Sequence, residues 1–139
     1  MQSFDISVSG VNADRVWMEN IASNLANINS TRSIYGGPYR RRVTVFAEQP
    51  LAFGEALRRA EARMAGGGVV ADVAEDPTPF QKVYNPGHPD ADADGFVSLP
   101  NVSMSKEMID LAYASRLYEA NITVFNATKK MAQDTLLIP

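Results

Sequence analysis

The chain has 139 residues, of which 45% are hydrophobic and 21% charged, with a formal net charge of −3. That is one domain's worth of sequence, and its slightly acidic balance weighs against a general nucleic-acid binder. With no cysteine, it has no disulfide framework, no cysteine-ligated zinc and no cysteine nucleophile.

No run approaches the ~20 apolar residues a membrane span needs. The opening MQSFDISVSG lacks the cationic and apolar regions of a cleaved secretory signal, so work beyond the inner membrane implies export by another route. The spacing then predicts a helix over residues 1–29. Phe4, Val11, Met18 and Leu25 fall every seven residues, with Val8 and Ala22 at i+4 and Ile21 and Ile28 at i+3. Asp14 and Arg15 interrupt the flanks, and Gly10 costs about 1 kcal/mol against alanine in a helix interior. Asn12, Asn20, Asn24, Asn27 and Asn29 compete for backbone hydrogen bonds in a free helix. In a helix packed among others, their amides could bond across interfaces instead.

Residues 30–38, STRSIYGGP, form a turn-rich exit, and residues 39–46, YRRRVTVF, alternate as a β-strand does. Arg40, Arg41 and Arg42 open that strand. The trio reads first as charge guarding an exposed sheet edge, and otherwise as a contact for acidic partner surfaces. A polyanion site would need a basic helix or interleaved aromatics nearby. A short helix is expected over residues 51–64, with Phe53, Leu57, Ala60 and Met64 on one face. Gly66, Gly67 and Gly68 read as a connection, because a phosphate-binding loop requires a following Lys-Ser/Thr and a helix. Residues 69–74, 80–84 and 95–99 are short strands between proline-bearing turns. With the strand at 39–46 they are expected to make one small antiparallel sheet.

The segment at Asp90, Asp92, Asp94 and Gly95 copies the first half of an EF-hand loop. Such a loop needs a bidentate glutamate at its twelfth position, which here is Asn101, and Pro89 and Pro100 leave no flanking helices. It therefore reads as a solvated acidic turn with Gly95 at positive φ, and otherwise as a weak cation site or a docking face for another subunit's arginines. His88, the single histidine, caps the turn or faces solvent. Neither a metal site nor an activated nucleophile is assembled in this pattern, so no cofactor and no enzymatic activity are expected.

Residues 103–136 contain neither glycine nor proline. Met104, Leu111, Tyr118, Phe125 and Ala132 recur every seven residues, and Met108, Ser115, Ile122, Lys129 and Leu136 follow at i+4. This alternation of four and three is the seam of a helix lying lengthwise on another. Leu117, Val124, Met131 and Ile138 form a second row, and Tyr113, Ala120 and Ala127 occupy part of the far side. Such a helix, roughly 50 Å long at ~1.5 Å per residue, expects neighbours on most sides. The architecture expected is mainly α with a small β part. Long amino- and carboxyl-terminal helices (1–29 and 103–139) pair coiled-coil-like, joined by a short-strand antiparallel β and loop segment at 30–102. Both terminal segments are expected to be largely disordered in the isolated chain and to fold on assembly.

Particular stretches then carry a family resemblance. They are Ala22-Ser23-Asn24-Leu25-Ala26-Asn27, Pro38-Tyr39-Arg40-Arg41, Val83-Tyr84-Asn85-Pro86-Gly87-His88-Pro89, Gly95-Phe96-Val97 and Pro100-Asn101-Val102. The last helix adds Glu107-Met108, Ala114-Ser115-Arg116 and Tyr118-Glu119-Ala120-Asn121. In these the chain resembles the bacterial flagellar axial proteins over nearly its full length. The middle block is similar to that family's proximal rod subunits, while residues 51–64 match nothing in it.

The resemblance implies paired terminal helices forming the inner layer of a helical tube that crosses the periplasm and transmits motor torque to the hook. It implies as partners other copies of the chain, other proximal rod proteins, the distal rod and the rod-to-ring adaptor. Export then runs unfolded through the flagellar type III apparatus, without a cleaved signal. The expected packing positions are Phe4, Val8, Val11, Met18, Ile21, Leu25, Met104, Met108, Leu111, Tyr118, Ile122 and Phe125. By their opposite charge, Arg40, Arg41 and Arg42 are expected to meet Asp90, Asp92 and Asp94 across neighbouring subunits. Other readings of the same pattern are a different rod or hook axial subunit, or a non-flagellar helical adaptor that folds on binding.

Overall fold

The structure, a computed structural model, describes residues 2–33, 36–48 and 68–136. The helix expected at 51–64 lies outside them. In chain order the elements are α1 (Gln2–Ala26), β1 (Arg42–Glu48), β2 (Val69–Glu75), β3 (Gln81–Tyr84), β4 (Phe96–Leu99) and α2 (Met104–Leu136). Two long helices with a small β part are as the sequence predicts.

The helices lie antiparallel. Asn24 of α1 meets Glu107 of α2, Met18 meets Ser115, Asp14 meets Asn121 and Phe4 meets Phe125, so numbers fall on one helix as they rise on the other. The Phe4 and Phe125 rings meet edge to face at 5.6 Å, a favoured aromatic geometry. Gly10 makes room for the Asn121 amide, since a Cβ there would lie 3.3 Å from Nδ2. The glycine that weakens the helix locally thus permits a close polar contact between helices.

β1 runs back along a second face of α1 in three rungs. Asn24 bonds the Arg42 backbone, Asn20 Nδ2 donates to Thr44 Oγ1 at 2.8 Å, and Trp17 packs edge to face on Phe46 at 5.5 Å. Steps of three or four residues on the helix advance about 4.5–6 Å, and steps of two on the strand about 6.6 Å, so the two periods roughly match. The asparagines therefore bond across an interface within the chain. A two-stranded ribbon is marginal by itself, and this one gains its support from α1.

The single sheet expected from the sequence is instead two. β1 pairs antiparallel with β2, from Arg42 opposite Glu75 to Glu48 opposite Val69, and β3 pairs antiparallel with β4. Pro77 and Pro79, between β2 and β3, have no N–H to give to a ladder. The carbonyls of Asp76 and Thr78 are taken by the Asn101 amide instead. Beyond β3 the acidic turn closes as expected. Gly95 sits at φ 79°, and Asp92 Oδ1 accepts the N–H groups of Asp94 and Phe96. His88 caps the turn, its Nδ1 accepting from the Asp90 N–H at 3.1 Å.

Among the described residues the buried apolar side chains are Ala13, Ile21, Val97, Val102 and Ala114. Meanwhile Ile109, Tyr113, Val124 and Met131 of α2 stand more than half exposed. With Ala120 and Ala127 they fall in one stripe along the helix, at steps of three, four and seven. No described helix is long and apolar enough to cross a membrane.

Candidate functional site

Where α1 ends, β1 begins and α2 begins, the chain builds a junction of buried polar groups. Glu107 lies in the first turn of α2, where the helix dipole favours a negative charge, and it has no exposed surface. Its Oε1 accepts from Arg41 Nε at 2.6 Å, and its Oε2 from Asn24 Nδ2 at 3.0 Å. Both carboxylate oxygens are thus occupied, one by a charge-assisted bond.

Asn24 is 1% exposed and uses its whole amide. Its Nδ2 also donates to the Arg42 carbonyl at 2.8 Å, and its Oδ1 accepts from Arg42 N and the Tyr39 hydroxyl, both at 2.9 Å. Asn101 completes the frame, accepting from Arg41 N at 2.8 Å and donating to Thr78 Oγ1 at 2.8 Å. Among the described residues, no buried side-chain nitrogen or oxygen lacks a partner. A satisfied network of this kind fixes one arrangement, because any shift strands groups that water cannot reach.

Arg41 also stands near Asp76 at 3.4 Å and Asp110 at 3.5 Å. Burial alone would lower the pKa of its guanidinium, but hydrogen bonds and charge from Glu107 and Asp76 outweigh that, and the net shift is upward. Asp76 is held below the ordinary carboxylate range, first by the Thr78 backbone N–H and then by the Thr78 side chain and Arg41. Arg41 is therefore a fixed cation that ties the start of β1 to α2 and to Asp76.

The positions read from the sequence divide accordingly. Ile21 is buried, and Phe4, Val11, Met18, Leu25, Leu111, Tyr118, Ile122 and Phe125 are half-buried, while Val8, Met104 and Met108 stand exposed. Arg41 turns inward. Arg40 lies over the Phe80 ring at 4.5 Å and donates to the Asp76 carbonyl, and Arg42 is exposed. Asp90 pairs with Arg32 at 2.6 Å and accepts from Thr31 at 2.8 Å, while Asp92 and Asp94 stay exposed. Among the described residues, no group of three or more His, Cys, Asp or Glu is placed to hold a metal ion.

A periodicity count misses Glu107 and Asn24, because it scores apolar residues. The usable signal is that Glu107, Ala114 and Asn121 recur every seven residues, each four before a seam position (Leu111, Tyr118 and Phe125). One acid, one small residue and one amide mark the flank that faces α1.

An antiparallel helix pair locked by a polar junction thus leaves most of an apolar stripe of α2 exposed among the described residues. The profile described as flagellar basal body rod FlgEFG protein C-terminal matches residues 93–137, which span β4 and α2. Over this carboxyl-terminal third the chain is similar to flagellar basal-body rod proteins. Over 98% of its length it is 41% identical to the flagellar basal-body rod protein FlgC of Bacillus subtilis, covering 95% of that protein. It is 38% identical to FlgC of Borreliella burgdorferi, at 98% and 95% coverage, and 40% identical to FlgC of Salmonella typhimurium, at 97% and 94%. The chain belongs to the FlgC family of flagellar basal-body rod proteins.

Proposed function

We infer that this protein is a structural subunit of the bacterial flagellar basal-body rod, and in particular of its proximal part. In this reading α1 and α2 act as a coiled-coil-like pair forming the inner layer (1–29 with 103–139), and residues 30–102 form an outer region. Copies stack helically with the other proximal rod proteins, between the rod-to-ring adaptor and the distal rod. They reach the periplasm through the flagellar type III export apparatus. Torque passes through long interdigitated helices, which resist shear better than a thin polar interface.

The observation that carries the reading is the apolar stripe of α2, of which Ile109, Val124 and Met131 stand more than half exposed among the described residues. An exposed apolar surface of this length on a rod-family chain calls for protein on it. The test is to purify hook–basal bodies from a strain carrying a tagged copy. The chain should co-purify in the rod, and strains lacking it should stop before the distal rod forms. Its absence from purified rods would overturn the reading.

The folding expected to accompany assembly should centre on the end of α2. Phe4, near the start of α1, meets Phe125, and α2 continues eleven residues further to Leu136, about 16 Å at ~1.5 Å per residue. A helix end without a partner is marginal in water. Backbone amides of residues 126–136 should therefore exchange without protection in the isolated chain and become protected in the rod. Strong protection in the dilute monomer would refute this.

A further inference from the structure

A basic cleft of about 530 Å³ opens beside the carboxyl end of α1, lined among others by Arg32, Arg40, Arg42, Tyr39, Glu75 and Phe80. Three arginines face one carboxylate there, and they are not equivalent. Arg32 is paired with Asp90 at 2.6 Å. Arg40 stacks on Phe80, donates to the Asp76 carbonyl at 2.9 Å and lies 4.0 Å from Glu75. Arg42 is exposed, with its guanidinium 6.0 Å from the Tyr39 ring centre. No carboxylate is paired with it among the described residues. A planar guanidinium held over a ring at the edge of a cleft is suited to a carboxylate arriving from outside.

The acidic turn supplies such a group. Asp92 accepts on Oδ1 from the backbone N–H groups of Asp94 and Phe96, and its other oxygen has no partner among the described residues. The carboxylate of Asp94 is exposed and unpaired among the described residues. Asp90, with Arg32 and Thr31, anchors the base of the turn, and Gly95 fixes its shape at φ 79°. The turn is thus a presented, pre-shaped anionic tip.

We propose that the cleft around Arg42 receives the Asp92 and Asp94 tip of a second copy of this chain. Cleft and tip are different patches of one surface, so the contact is head to tail. It repeats along a helix unless the rotation closes a ring. The inference rests on the rod reading and deepens it, by naming a contact between like subunits outside the helical layer.

The test uses Arg42→Glu, Asp94→Arg and the double variant in place of the resident copy, with subunits counted in purified hook–basal bodies. Both residues are exposed, so the chain should fold in all three. Each single variant should lower the copies per basal body at least fivefold, and the double should return them to within twofold of the parent. Unaffected singles, or a double no better than the singles, would overturn the proposal. Because the chain has no cysteine, Glu75→Cys with Ala93→Cys gives a second measurement, in which oxidised rods should yield linked dimers and longer ladders. Monomer alone would overturn the contact. Absence of the parent chain from basal bodies would instead sink the rod reading, so the two failures are distinguishable.

Discussion

Replacing Arg41 with methionine should cost the fold about 3–5 kcal/mol, the range for removing one partner of a buried ion pair. Glu107 has no exposed surface, so its carboxylate would remain buried with only the Asn24 amide against it. The double variant Arg41→Met with Glu107→Leu should recover most of that loss. An apolar pair of similar volume requires no compensation for buried charge, and Asn24 Nδ2 keeps its bond to the Arg42 carbonyl. Urea unfolding followed by the fluorescence of the single tryptophan measures both. Trp17 packs edge to face on Phe46 and Tyr113 and so reports on the separation of β1 and α2 from α1. A single-variant loss below about 1 kcal/mol would mean that water reaches Glu107 and that the pair is worth no more than a surface salt bridge.

Ile109→Asp and Met131→Asp should produce the opposite combination. These side chains are 69% and 61% exposed, so the stability of the isolated chain should change by no more than about 0.5 kcal/mol. Incorporation into the rod should fall more than tenfold, and swimming should stop, because assembly would bury an unpaired carboxylate against apolar neighbours. Phe125→Asp is the control that damages both properties, since it also removes the edge-to-face contact with Phe4. Normal swimming in both stripe variants would show that the outer side of α2 faces water in the rod.

Much of the helical layer is legible before any coordinates. The absence of glycine and proline from residues 103–136, and the recurrence of Leu111, Tyr118 and Phe125, predict a helix that the structure places at Met104–Leu136. The strands at 69–74, 80–84 and 95–99 are right to within a residue or two. The strand at 39–46 starts three residues later, because Arg40 and Arg41 are drawn out of the ladder to Phe80 and Glu107. The side of α2 that meets α1 is less legible. Its marker row, Glu107, Ala114 and Asn121, is chosen for hydrogen bonds and close approach, which a hydrophobic count does not weigh.

By itself the sequence determined the helices, the strands, the closed acidic turn and the family, since each is written in local periodicity or in short motifs. Tertiary structure alone decided that the sheet divides in two, that Arg41 turns inward while Arg42 stays out, and that Asn24 meets Glu107. These outcomes depend on groups far apart in the chain competing for the same hydrogen bonds. Asn24, Arg41, Asn101 and Glu107 lie up to 83 residues apart, and only the folded chain brings their donors and acceptors within reach of one another.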